Sequence, residues 1–163
     1  MIGPPQIAAL LVAAQRLGEL TYARRNTKRL LAAGGVEHGV GHYPLIVALH
    51  GGWLAALFWF VPVAAPAGWG WLGFYGLLQL GRLWIMASLG ARWTTRVIAL
   101  PGAPRVRRGP YRFLRHPNYL VVALEIPVLP LAFGAWQIAL GFGLANLALL
   151  AHRIRIEERA LRE

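Results

Sequence analysis

PLIVALHGGWLAALFWFVPVAAPAGWGWLGFYGLLQLG, residues Pro44 to Gly81, runs for 38 residues without an Asp, Glu, Lys or Arg. A helix needs roughly 20 apolar residues to cross a bilayer core, so this stretch is long enough for two crossings. It breaks at Val61-Pro62-Val63-Ala64-Ala65-Pro66-Ala67-Gly68, where two prolines and a glycine end one helix before the next. Further on, Asn118 to Ala151 holds a single charge, Glu125, and a turn near Phe133-Gly134-Ala135 divides it into a helical hairpin. Ile2 to Tyr22 is apolar apart from Arg16 and Glu19. The reading is an all-α integral membrane bundle of five transmembrane helices, at about 3–22, 44–63, 69–90, 118–133 and 136–152.

Composition agrees. Hydrophobic residues make up 57% of the 163 and charged residues 14%, where soluble chains carry about 25% charged residues. The length suits one domain, residues 1–163. The net charge of +11 could suggest nucleic acid, but too few polar residues remain to cover a soluble surface. The cationic residues also cluster in an orienting pattern: Arg24 to Arg29, Arg92 to Arg115, and Arg153 to Arg162. Five spans put all three clusters on one side and leave the opposite turns without Lys or Arg. By the positive-inside rule the N-terminus lies outside and the C-terminus in the cytoplasm, as in a bacterial inner-membrane protein. Orientation and contact with anionic lipid account for the charge, and no nucleic acid is called for. No cleavable signal is expected, since the N-terminus lacks a basic leading region. Without Cys, thiolate chemistry and Cys–zinc sites are excluded. His38, His42 and His50 are too loosely spaced, and too short of acidic partners, for a metal site.

Two cytoplasmic stretches carry the chemistry. The first is Arg108-Gly109-Pro110-Tyr111-Arg112-Phe113-Leu114-Arg115-His116-Pro117-Asn118-Tyr119. Gly109-Pro110 marks a turn, and Pro117 suits the first turn of a helix. Arg115 and His116 then sit at a helix N-terminus, where an anion can be held; a plain basic loop before a helix is the alternative. The second stretch is the tail His152 to Glu163, in which Arg153/Glu157, Arg155/Glu158 and Glu158/Arg162 have the spacing of helix ion pairs. Glu125 stands alone in the fourth span. An acid at that depth faces a partner or a cavity, so it either serves as a general base or orients the substrate, or it is an interhelical partner for Arg82 or Arg16. Arg16 and Glu19 have the spacing to pair with each other.

The pattern Gly-Pro-Tyr, Arg-His-Pro-x-Tyr, a helical hairpin and then Arg-x-x-x-Glu-Glu-x-x-Leu, residues 105–163, resembles the isoprenylcysteine carboxyl methyltransferase family. The N-terminal part, Ala14-Gln15-Arg16-Leu17-Gly18-Glu19-Leu20 through His42-Tyr43-Pro44 and His50, resembles a bacterial branch with methyltransferases for long-chain alkylpyrones or alkylresorcinols. The resemblance implies a single membrane methyltransferase domain with a cytoplasmic pocket for S-adenosylmethionine, released as S-adenosylhomocysteine. That pocket would be formed by the last hairpin, the loop before it and the tail. Carried over by residue, Gly109, Pro110 and Tyr111 form the loop leading in, and His116, Pro117 and Tyr119 border the cofactor. Arg153, Glu157 and Glu158 close over it, and Arg115 lies near the reacting group. The chain stops soon after Leu161 and lacks the longer tail of the eukaryotic members, so a protein substrate is not expected. The implied activity is O-methylation of a lipophilic small molecule entering from the membrane: a prenylcysteine-like carboxylate, or an alkylpyrone or alkylresorcinol hydroxyl. The competing readings are a phospholipid-type amine N-methyltransferase and a non-enzymatic membrane scaffold, the latter leaving both motifs unexplained.

Overall fold

A computed structural model of the chain describes residues 1–104 and 106–160. The Glu158/Arg162 pair and the motif's last position, Leu161, lie outside the described residues. Five helices follow in order: α1 Pro4–Ala32, α2 Tyr43–Phe60, α3 Trp69–Leu89, α4 Pro117–Leu131 and α5 Trp136–Ala160. Two run well beyond the expected bounds. α1 continues through Arg24, Arg25, Lys28 and Arg29 to Ala32, because Arg and Lys are good helix formers and neither Gly nor Pro occurs between Gly18 and Gly34. α5 likewise carries on into the charged tail, to Ala160.

Polar side chains fix the helix ends against one another. At one end, Gln6 Nε2 donates to the carbonyls of Phe58 (3.0 Å) and Val61 (2.9 Å), and the Gly68 amide donates to Ala132 O (2.7 Å). At the other, Asn26 Nδ2 donates to Trp93 O (2.8 Å) and Arg153 Nη2 to Thr95 O (2.7 Å). Successive helices therefore alternate in direction between two faces. Exposed Trp59, Phe60, Trp69 and Trp136 ring the first face, where amphipathic aromatic rings suit a membrane–water boundary. α4 is the central helix: Val121, Val122, Ile126, Val128 and Leu129 are all buried, and it packs on α3 and α5.

Three of the five helices are long and apolar enough to cross a membrane: α2, α3 and α5. α4 has 15 residues, about 22 Å at the helical rise and short of a ~30 Å hydrocarbon core. α1 is not among them. Outward-facing Leu77, Leu80, Leu83, Leu140, Leu144 and Leu147 give α3 and α5 surfaces suited to lipid.

The all-α expectation needs one amendment. β1 (Val36–His38) pairs antiparallel with β2 (Val97–Ala99), in register Val36↔Ala99, Glu37↔Ile98 and His38↔Val97. Strands of three residues are too short to show alternation in a sequence. Arg96 clamps the pair, with Nη1 2.7 Å from Glu37 Oε1 and its guanidinium 4.7 Å from the Tyr43 ring centre.

Candidate functional site

The site begins where His116 precedes Pro117. A residue before proline is pushed out of helical geometry, and His116 adopts φ −129°, ψ 59° immediately before α4. Pro117 takes the first helical position, where its missing N–H costs nothing. The first turn of α4 then presents Tyr119 to α5. The His116 and Tyr119 rings stack 5.4 Å apart.

From α5, Arg153 and Glu157 were expected to pair directly. Instead the Tyr119 hydroxyl stands between them: it donates to Glu157 Oε2 and accepts from Arg153 Nε at 3.0 Å. Arg153 is spent holding Tyr119 and Thr95 O, which leaves the Glu157 carboxylate to face His116. His116 Nδ1 lies 3.7 Å from Glu157 Oε1, and Nε2 3.9 Å from Glu158 Oε1. Arg155 forms no ion pair among the described residues.

These residues border two adjoining cavities. The larger, about 760 Å³, is lined by Tyr111, Arg115, His116, Glu157 and Glu158 of the two motifs. The smaller, about 170 Å³, is lined by Tyr111, Arg115, His116, Tyr119, Arg153 and Glu157. Gly109, Pro110 and Pro117 are off the walls and shape the backbone instead. Gly109 has φ +57°, and a Cβ there would overlap Ser88 Oγ on α3. Burial pushes the Tyr111 hydroxyl pKa well up, and the Glu157 charge pushes it further. Tyr111 is therefore a protonated donor at neutral pH and no base.

The walls include residues that motif reading missed. Arg92 and Ile98 line both cavities, His38 and Arg107 the larger, and Arg96 and Asn118 the smaller. Asn118 Oδ1 is buried without a hydrogen-bond partner among the described residues. Arg96 meets its partner Glu37 across 59 positions of sequence, so no local spacing rule could have joined them.

Glu125 lies elsewhere and lines neither cavity. It is 1% exposed and accepts from Arg16 Nη2 (2.7 Å), Gln79 Nε2 (2.8 Å) and Arg82 Nη1 (3.3 Å). Glu19 completes the group, accepting from Arg16 Nη1 (2.8 Å) and from Arg82 Nε (2.8 Å) and Nη2 (2.7 Å). Two carboxylates and two guanidiniums thus join α1, α3 and α4. The interhelical partnership open to Glu125 is the one observed, and both candidate arginines take part.

The model of the isoprenylcysteine carboxyl methyltransferase (ICMT) family matches residues 71–163, more than half of the chain. A relative in Bacillus subtilis (strain 168), the uncharacterized protein YpbQ, is 39% identical over 167 residues, covering 96% of this chain and 95% of its own. No solved structure matches. The region matched by the family model carries both motifs and most of the cavity wall, and the chain therefore belongs to the isoprenylcysteine carboxyl methyltransferase family of membrane enzymes.

Proposed function

We propose that the protein is an S-adenosylmethionine-dependent O-methyltransferase whose acceptor is a lipophilic small molecule with an acidic oxygen, a carboxylate or a hydroxypyrone- or resorcinol-type hydroxyl. One observation carries this reading: Tyr111, Arg115 and His116 of the first motif and Glu157 of the second converge on the same two cavities. The larger is within the roughly 300–1,000 Å³ usual for small-molecule sites. The donor set fits the cofactor. Glu157 and Glu158 suit its ribose hydroxyls or ammonium, Arg92 suits its carboxylate, and the unpartnered Asn118 Oδ1 awaits a donor such as an amino group. When bound, S-adenosylmethionine supplies a methyl group already activated on sulfonium. The protein's task is then alignment, which can supply a large part of the rate. Arg115 is the cation placed to hold the acceptor's oxygen as an anion. A carboxylate, with reference pKa near 4, needs no base, whereas a phenol, near 10, needs that cation. Arg115 on the larger cavity favours an anionic acceptor over the cationic amine of an N-methyltransferase.

His116→Ala and Glu158→Ala should each weaken S-adenosylhomocysteine binding, measured calorimetrically in detergent, while the bundle stays folded. Wild-type affinity in both would refute the cofactor assignment. Acceptor choice is tested in liposomes with a series of acids of increasing tail length. Each buried CH₂ contributes roughly 0.8 kcal/mol, so four methylenes should lower KM about a hundredfold. Activity that ignores tail length, or that methylates only amines, rules out the lipophilic O-methyl reading.

The same proposal places all five helices across the membrane, with the N-terminus outside. α1 and α4 would cross because their charges and short length are covered by their neighbours. Cysteines at Lys28 and Ala135 of this Cys-free chain should label from opposite sides of intact cells. Labelling of both from one side would refute the topology.

A further inference from the structure

After α3 ends at Leu89, the chain does not simply cross a loop to α4. It comes back along the outside of α3. Arg108 Nε donates to Ser88 O at 2.5 Å, and a Cβ on Gly109 would lie 3.2 Å from Trp84 Nε1. Ser88 and Trp84 belong to the last two turns of α3, which ends at Leu89. The 3₁₀ turn Gly109–Arg112 is therefore packed against the last turns of α3, where Leu83 and Trp84 are exposed. There the chain turns apolar groups outward: Phe113 is 77% exposed, Leu114 46% and Trp84 53%. Arg107, Arg108 and Arg112 beside them are exposed, and the sequence has no acidic residue between Glu37 and Glu125.

We propose that residues 109–115 are an interfacial anchor for the anionic leaflet, with Phe113 and Leu114 seated at the boundary between headgroups and acyl chains. Arg107, Arg108 and Arg112 meet the lipid phosphates. An apolar tip flanked by cations is the composition that binds such an interface, and charge complementarity favours anionic lipid over another protein. Leu114 and Arg115 also line the larger cavity, so the anchor is continuous with the wall of that cavity. This conclusion needs the membrane setting but not the methyltransferase reading.

The test uses the full chain, free of native Cys, in lipid nanodiscs. An environment-sensitive fluorophore is placed on Phe113→Cys, with Lys28→Cys as the aqueous reference and Leu144→Cys as the lipid-facing one. In discs of phosphatidylglycerol and phosphatidylcholine, the label at 113 should be shielded from iodide and quenched by a nitroxide carried near the lipid headgroup. Pure phosphatidylcholine, or Arg112→Gln in mixed discs, should raise its iodide quenching toward that at Lys28. Iodide access equal to Lys28 in the mixed discs would overturn the anchor. So would shielding from both quenchers, which would mean that protein covers the segment. Shielding that is indifferent to lipid charge would overturn the role of the arginines.

Discussion

Glu125→Leu should destabilise the bundle by about 3–5 kcal/mol, the range for removing one member of a buried ion pair. The substitution leaves Arg16 Nη2 and Arg82 Nη1 without the carboxylate they now share and leaves Gln79 Nε2 without its acceptor. Two guanidiniums then face one carboxylate, Glu19, among apolar helices. Removing a cation as well restores the balance: Glu125→Leu with Arg82→Leu leaves Arg16 and Glu19 matched at 2.8 Å, and the double variant should lose less than the single one. Unfolding in a graded SDS–detergent mixture, followed by Trp fluorescence, measures both. A single variant as stable as wild type would refute the assigned network role. Glu125→Gln separates this role from direct catalysis. A positioning residue predicts a loss of stability with kcat largely kept in the folded fraction. A base acting on substrate predicts the reverse, a stable protein with kcat abolished.

Arg115→Ala should lower kcat by roughly 10²–10³-fold, the cost of losing one preorganised charge at a developing or held oxyanion. Arg115 borders both cavities and forms no ion pair among the described residues, so its charge is free for a ligand. The water around it is displaced when an acceptor enters, which strengthens the interaction. Lysine keeps the charge but loses the planar fork, so Arg115→Lys should recover only part of the rate. The effect should also depend on the acceptor, being larger for a phenol than for a carboxylate that is already ionised. Single-turnover rates at saturating S-adenosylmethionine, beside S-adenosylhomocysteine affinity, give the readout. A kcat unchanged with a phenolic acceptor would remove Arg115 from the reacting centre.

What the sequence determined by itself was set by local chemistry. Helices needed only the uncharged run Pro44 to Gly81 and its Pro-Gly break, and α2 and α3 lie within a few residues of the expected bounds. The turn at Gly134, with φ +70°, and the start of α4 at Pro117 follow from one residue's backbone preference each. The motif residues could be named in advance because each motif is contiguous. The tertiary structure alone decided whatever joins distant segments. It set the Tyr119 hydroxyl between Arg153 and Glu157, where helical spacing had suggested a direct pair. It closed the cavity with β1 and β2, whose residues are about 60 positions apart and too few to show a pattern of their own. It gave Glu125 three donors on two other helices, partners that its own helix could not supply. A buried charge takes its role from whichever side chains share its low-dielectric surroundings, and those are fixed only when the helices pack.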